Sequence, residues 1–84
     1  MKRVTVILPN KLVQQLPYIK PSKKKLEEYI KLMESGAAFP PVHIWIEDDR
    51  LMFKDGAHRV AAAKALGKDL LIKTCFMYAE KIFK

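Results

Sequence analysis

The residues best suited to chemistry lie together in the stretch Asp55–Arg59, called here the DGAHR motif. A helix is predicted to begin within this motif, because an alanine-rich run follows it and Gly67 suits a left-handed C-terminal cap. The free N–H groups at a helix N-terminus attract anions, and phosphate above all. His58 and Arg59 would add a titratable imidazole and a fork-shaped guanidinium. Phosphate is therefore the ligand that the motif favours.

Asp55 and Gly56 are predicted to form the turn and the cap at the start of this helix. Asp55 is expected to be the N-cap, because its carboxylate can accept hydrogen bonds from the first turn. Gly56 would turn the backbone sharply and leave no Cβ in the way of a ligand. However, similar helix starts often bind nothing, and each cation there costs the helix about 0.3–1 kcal/mol. From the residues alone, a phosphate site and a purely structural turn both stay open.

The composition predicts one small domain that spans residues 1–84. Half of the residues are apolar and 30% are charged, as in ordinary globular proteins. Cys75 is the only cysteine, so an internal disulfide is excluded, and one cysteine with two histidines cannot build a structural zinc site. No apolar run approaches membrane-spanning length and no signal-peptide pattern opens the chain. We therefore expect a cytoplasmic protein without a membrane partner.

Basic residues are concentrated in the N-terminal segment 1–25. This segment holds seven of the 16 basic residues and no acidic residue, in a chain of net charge +7. A one-sided basic segment is typical of proteins that contact a polyanion, so DNA is the alternative partner. The lysines predicted to contact DNA are Lys20, Lys23, Lys24 and Lys25. The other interpretation is that these lysines are simply solvated.

The hydrophobic pattern predicts a small mixed sheet with packed helices, an α/β (α+β) fold. Side chains that would face opposite sides of a sheet alternate over residues 3–8, which predicts a first strand. Asn10 is expected to cap a short helical turn after it. Ser22 is expected to cap a helix over residues 23–34, ended by Gly36. The apolar residues of this helix fall on one stripe: Leu26, Tyr29, Ile30 and Met33.

A hairpin is predicted to lead directly into the DGAHR motif. Residues 42–47 have a strand pattern, Asp48-Asp49 suits a turn, and residues 51–53 return as the second arm. Residues 70–76 form a mostly apolar strand, which is expected to bury Cys75 and to complete a strand–helix–strand unit. Met77–Lys84 is expected to form a final helical turn. This turn would cover the core of a monomer or meet a second subunit in a homodimer.

The DGAHR motif in this setting resembles the signature of the ParB/sulfiredoxin superfamily. The resemblance covers a core of residues 22–76 and includes the upstream segment Phe39-Pro40-Pro41-Val42-His43-Ile44. It implies a single domain that binds ATP, ADP or CTP, with Mg²⁺ as a candidate cofactor. It also implies which residues carry each role. Gly56, Ala57, His58 and Arg59 would hold the phosphates, Asp55 would lie near the metal, and Asp55 and His58 would be the catalytic residues.

Residue types within the signature separate the activities of this superfamily. Sulfiredoxins have a reactive cysteine where this chain has Ala57, so sulfiredoxin activity is not expected. Partition ParB proteins have a Gly-Glu-Arg-Arg signature and a following helix-turn-helix, and this chain shows neither. The Asp-Gly-X-His-Arg subgroup includes ParB-like kinases of free serine, which use a carboxylate well upstream, whereas the first acid here is Glu27. We expect nucleotide binding, with weak hydrolysis or phosphoryl transfer as the candidate activity.

Two aromatic residues on the predicted hairpin leave alternatives open. His43 is either part of the phosphate pocket or an ordinary sheet residue. Trp45 either stacks on a base or packs in the hydrophobic interior. A nuclease is not favoured, because Asp55 is the only carboxylate in the motif.

Overall fold

A computed structural model describes residues 2–83, which form one four-stranded mixed sheet with helices. This architecture confirms the predicted fold class. The elements in chain order are β1 (Arg3–Leu8), α1 (Asn10–Val13), α2 (Lys23–Glu34), β2 (Val42–Glu47), β3 (Arg50–Lys54), α3 (Ala57–Leu66), β4 (Leu70–Cys75) and α4 (Phe76–Ile82).

The sheet has the strand order β1-β4-β2-β3. β4 pairs antiparallel with β1 and parallel with β2, and β2 and β3 form an antiparallel hairpin. The hairpin turn is the predicted pair Asp48 and Asp49, whose φ angles are 51° and 61°. Two positive φ angles give the tight turn that matches the twist of the strands. The chain then passes from the edge strand β3 through the DGAHR motif and α3 to the interior strand β4.

One face of the sheet carries the core. Alternate strand residues on this face form one buried cluster with Val60 and Ala63 of α3. All four helices supply residues to this core or pack against it. Its buried residues include Leu8, Val13, Val42, Ile44, Val60, Ala63 and Ile72.

The opposite face is not covered by any helix of residues 2–83, and we call it the open sheet face. The register and the alternation along the strands place twelve residues on it. Its apolar members are partly solvated, with Ile7 63% and Leu71 41% exposed. The open sheet face consists of Arg3, Thr5 and Ile7 of β1, Leu71, Lys73 and Cys75 of β4, His43, Trp45 and Glu47 of β2, and Arg50, Met52 and Lys54 of β3.

The predicted bounds of α2 are confirmed. The main-chain N–H of Lys25 donates to Ser22 Oγ at 3.3 Å, which is the expected N-terminal cap. Gly36 adopts a positive φ of 82° just after the helix, as its C-terminal position requires. The apolar stripe of α2 is half-buried, because this helix packs at the edge of the core through Met33.

The predicted capping role of Asn10 is wrong. Its side chain makes no cap for α1 and instead donates to the carbonyl oxygen of Lys68 at 2.7 Å. The main-chain N–H of Asn10 donates to Asp69 Oδ1 at 2.9 Å. The Asn10 side chain therefore connects the N-terminal part of the chain to the segment after α3. The carboxylate of Asp69 accepts the hydrogen bond from the main-chain N–H at the start of α1.

The predicted burial of Cys75 is also wrong. Thr74 is the fully buried residue, and its hydroxyl donates to the carbonyl oxygen of Ile44 at 2.7 Å. Since side chains alternate along a strand, Cys75 at the end of β4 points to the other face and is half-exposed.

The predicted final helical turn is confirmed as α4. Ile82 packs against the core, whereas Phe83 is 45% exposed. Lys84, the last residue of the predicted segment, lies outside the described residues. Among residues 2–83, no helix has both the length and the apolar character needed to cross a membrane.

Candidate functional site

The DGAHR motif forms the turn between β3 and α3. Asp55 adopts a left-handed conformation with φ of 58°, and Gly56 is the residue at the N-cap position of α3. The prediction that Asp55 caps the helix is therefore wrong. The chain turns at Asp55 itself, so the helix begins one residue later and receives no side-chain cap.

Gly56 is required here for packing against β2. A Cβ added at this position would lie 2.8 Å from Val42 Cγ1 and 2.9 Å from Val42 Cγ2, far inside van der Waals contact. The predicted reason for this glycine, free space for a ligand, is corrected: Val42 fills that space. Gly56 sets how closely the start of α3 approaches the sheet.

The start of α3 keeps its main-chain donors free of side-chain partners. The first-turn segment contains no acidic residue, and the helix has no side-chain cap. The helical hydrogen bonds begin with the N–H of Val60, which donates to the Gly56 carbonyl at 2.8 Å. The N–H groups of Ala57, His58 and Arg59 precede this ladder and carry the positive end of the helix dipole.

Arg59 is held in a fixed orientation by two main-chain carbonyl groups. Its Nη1 donates to the carbonyl oxygen of Pro40, and its Nη2 donates to the carbonyl oxygen of Asp55. These bonds connect the motif turn to the segment just before β2. They leave other N–H groups of the guanidinium for a ligand. Sequence reasoning missed this structural role, because nothing in the local pattern marks Pro40 as the partner.

His58 belongs to a stack of three aromatic rings. Its imidazole lies on the ring of Tyr29, with centroids 5.3 Å apart and planes at 23°. Tyr29 in turn stacks on Phe39 at 5.6 Å and 16°. The stack joins α3, α2 and the segment before β2. Tyr29 was predicted only as part of the apolar stripe of α2, and its position beside His58 depends on how the two helices pack.

A cleft of about 270 Å³ opens beside the start of α3. The structure brings all five residues of the DGAHR motif together on its wall. Small-molecule sites in proteins occupy about 300–1,000 Å³, so this cleft lies just below the lower end of that range. Its lining residues are Ile19, Tyr29, Phe53, Asp55, Gly56, Ala57, His58 and Arg59.

The other candidate residues lie away from this cleft. Lys20 is in the connector before α2, and Lys23, Lys24 and Lys25 are exposed in the first turn of that helix. Their side chains do not line the cleft. His43 is not part of it either: this residue lies on the open sheet face, in edge contact with Trp45 at a centroid distance of 5.7 Å.

Metal ligands are sparse in the part of the chain that the structure describes. It contains no group of three or more His, Cys, Asp or Glu side chains that could hold a metal ion. Asp55, whose side chain is exposed, is the carboxylate on the cleft wall. Cys75 does not line the cleft, so no thiol stands beside His58 and Arg59.

Comparison with known proteins gives one informative similarity. The sequence matches no protein-family profile and no curated protein. The structure is similar to the crystal structure of sulfiredoxin from Arabidopsis thaliana, with a TM-score of 0.67 and 16% sequence identity. The match covers 96% of this chain and 98% of that chain. It confirms the expected fold class: the chain has a sulfiredoxin-like fold, and the structural similarity extends beyond residues 22–76.

Proposed function

We propose that this chain is a nucleotide-binding domain that holds the phosphates of its ligand at the start of α3. One observation carries the proposal: the helix start lacks a side-chain cap, carries His58 and Arg59, and opens into a cleft. Main-chain N–H groups and the helix dipole stabilise a bound phosphate, and a guanidinium adds strong charge-assisted hydrogen bonds. The ParB/sulfiredoxin fold supports the proposal at the level of architecture.

The side chains of His58 and Arg59 are held in position before a ligand arrives. Arg59 is oriented by its bonds to the carbonyl groups of Pro40 and Asp55, and His58 by its stacking on Tyr29. A side chain that is already ordered loses little conformational entropy when it binds. The ordering of these two side chains before binding therefore raises the affinity of this site for phosphate.

The nonpolar part of the cleft suits the remainder of a nucleotide. Ile19, Tyr29 and Phe53 line it beside the motif. Sites for cofactors are commonly apolar with a few polar groups that fix orientation. In this arrangement the motif holds the phosphates and the nonpolar residues contact the sugar or the base.

Asp55 is the residue suited to a magnesium ion. Mg²⁺ is usually held by one or two carboxylates together with substrate phosphates, so Asp55 and the nucleotide would share it. A bound Mg²⁺ would neutralise phosphate charge. Asp55 and His58 also supply a carboxylate and an imidazole to the cleft wall, and groups of these two kinds commonly act as general acids or bases. Weak nucleotide hydrolysis is thus the activity to assay.

Calorimetric titration with ATP, ADP and CTP, with and without Mg²⁺, tests the proposal. We expect at least one nucleotide to bind, and His58→Gln and Arg59→Ala each to weaken it about tenfold or more. Arg50→Ala is the matched control, because Arg50 lies at the far end of β3 and outside the cleft. Phosphate release measured in the same samples reports any hydrolysis.

Two results would contradict nucleotide binding at the motif. One is the absence of heat with all three nucleotides for a folded wild-type protein. The other is binding that Arg50→Ala weakens as much as His58→Gln does. His58→Gln is the decisive variant, because it leaves the carbonyl contacts of Arg59 in place.

A further inference from the structure

We infer that the open sheet face binds single-stranded nucleic acid. This surface lies on the side of the sheet opposite the core, and none of its residues lines the cleft at the start of α3. The inference goes beyond nucleotide binding at the DGAHR motif and rests on different residues. Charge and partly exposed ring surface on this face both support it.

The open sheet face is strongly basic. Among its twelve residues are four cations, Arg3, Arg50, Lys54 and Lys73, and one acid, Glu47. A positive surface that follows a nucleic-acid backbone supplies most of the affinity for a single strand. The charge of this face therefore fits a phosphate chain.

The register places two of these cations, Lys54 and Lys73, in one row with His43. His43 lies opposite Lys54 of β3 and beside Lys73 of β4. Neighbouring strands are about 4.8 Å apart, so the two lysines flank the imidazole across roughly 10 Å of sheet. Three side chains that can each donate to a phosphate thus lie side by side across β4, β2 and β3.

Trp45 provides a stacking surface next to this row. It lies two residues after His43 on the same face, and the two rings meet edge to face at 60°. The indole is half-buried, so it is held in place and still reachable from solvent. Unpaired bases stack on such rings with little dependence on sequence. The exposed side chains of Ile7 and Leu71 form a separate apolar area on the opposite side of this row from Trp45.

The same features disfavour other occupants of the face. A second copy of this chain would bring together two faces that each carry an excess of three positive charges, and like charges repel. In a duplex the bases remain stacked on one another and cannot reach Trp45.

Four-stranded sheets with exposed aromatic rings bind unpaired bases in RNA-binding folds. A sheet about 14 Å wide has room for two or three bases.

A charge-matched pair of variants tests the inference. Arg3→Gln/Lys54→Gln/Lys73→Gln removes three positive charges from the open sheet face. Lys23→Gln/Lys24→Gln/Lys25→Gln removes three from α2, in the helical layer on the other side of the sheet. Binding to labelled oligo-dT and oligo-U is followed by fluorescence anisotropy at several salt concentrations. Both variants have the same net charge, so only the position of the charges differs.

We expect the open-face variant to lose most of its affinity and the α2 variant to keep it. Each phosphate contact contributes about 0.7 to the slope of log affinity against log salt for a single strand. The open-face variant should therefore reduce this slope by about 2. Trp45→Leu should weaken binding about tenfold at an unchanged salt slope.

Trp45 is the only tryptophan of the chain, so its emission reports directly on this face. We expect oligonucleotide binding to quench it, and His58→Gln to leave both affinity and quenching unchanged. Equal loss of binding in the two triple variants would overturn the inference. So would duplex DNA or polyglutamate that binds as tightly as the single strand, unchanged Trp45 emission on binding, or no binding by the wild type at physiological salt.

Discussion

Arg59 donates a hydrogen bond from Nη1 to the carbonyl oxygen of Pro40, 19 residues earlier in the chain. Its Nη2 donates to the carbonyl oxygen of Asp55. Together with the contact of Gly56 on Val42, these bonds hold the start of α3 against the segment around β2. The DGAHR motif therefore has a structural function in addition to the proposed phosphate site, and its variants must be assessed for both.

Replacement of Arg59 should affect stability and binding to different degrees. Arg59→Ala is expected to lower the free energy of unfolding by about 1–2 kcal/mol, because both carbonyl groups lose a charged donor. Arg59→Lys should restore part of the nucleotide affinity but little of the stability, since an ammonium group cannot bridge two acceptors in the planar fork geometry. Urea denaturation and calorimetry on both variants measure the two effects. Wild-type stability in Arg59→Lys would contradict this interpretation.

Gly56→Ala should destabilise the protein by about 1–3 kcal/mol, because the new Cβ would overlap Val42. The double-mutant cycle with Val42→Ala tests the cause. If the contact is responsible, the smaller residue at position 42 relieves the overlap, and the double variant is more stable than the sum of the single effects predicts. Strict additivity in urea denaturation would show that Val42 is not the reason for the glycine.

The ring stack should couple Tyr29 to His58. Tyr29→Leu keeps an apolar residue on α2 but removes the stacking, which is worth about 0.5–1.5 kcal/mol for aromatic pairs. Tyr29→Phe keeps the ring and should change stability little. A cycle of Tyr29→Leu with His58→Ala isolates the pair energy. A coupling energy of zero would mean that the observed stacking contributes nothing to stability.

Asp55→Asn should separate the backbone role of this residue from its charge. Asparagine tolerates the left-handed conformation about as well as aspartate, so the melting temperature should stay close to that of the wild type. We expect the Mg²⁺-dependent part of nucleotide affinity to be lost, because an amide is a weaker ligand for this ion than a carboxylate. Titrations with and without Mg²⁺ measure that difference. An unchanged Mg²⁺ dependence would exclude Asp55 as a ligand.

Thr74→Val tests the buried hydrogen bond between β4 and β2. The substitution keeps the shape but leaves the Ile44 carbonyl without the hydroxyl donor, at an expected cost of about 1–2 kcal/mol. For a domain of this size, 1 kcal/mol lowers the melting temperature by about 4–8 °C. Thr74→Ser retains the donor and should recover part of the loss. Equal melting temperatures for wild type and Thr74→Val would refute this account.

Local signals were sufficient to predict the elements of this fold. Ser22 and Gly36 mark the two ends of α2, and Asp48-Asp49 form the hairpin turn. Gly67 ends α3 with a φ of 66°. These features depend on the conformational preferences of single residues and their neighbours, which act at short range. The resemblance of the DGAHR motif likewise predicted the fold that the similarity to sulfiredoxin confirms.

What the sequence by itself determined was the order and type of the elements and the grouping of the motif residues at the start of a helix. Only the tertiary structure decided that β4 inserts between β1 and β2, that Tyr29 stacks on His58, and that one face of the sheet stays open. The errors at Asp55 and Asn10 have the same origin. Each was predicted as a helix cap from its neighbours. Gly56, which packs against Val42, takes the N-cap position after Asp55, and the Asn10 side chain bonds to the distant Lys68 carbonyl.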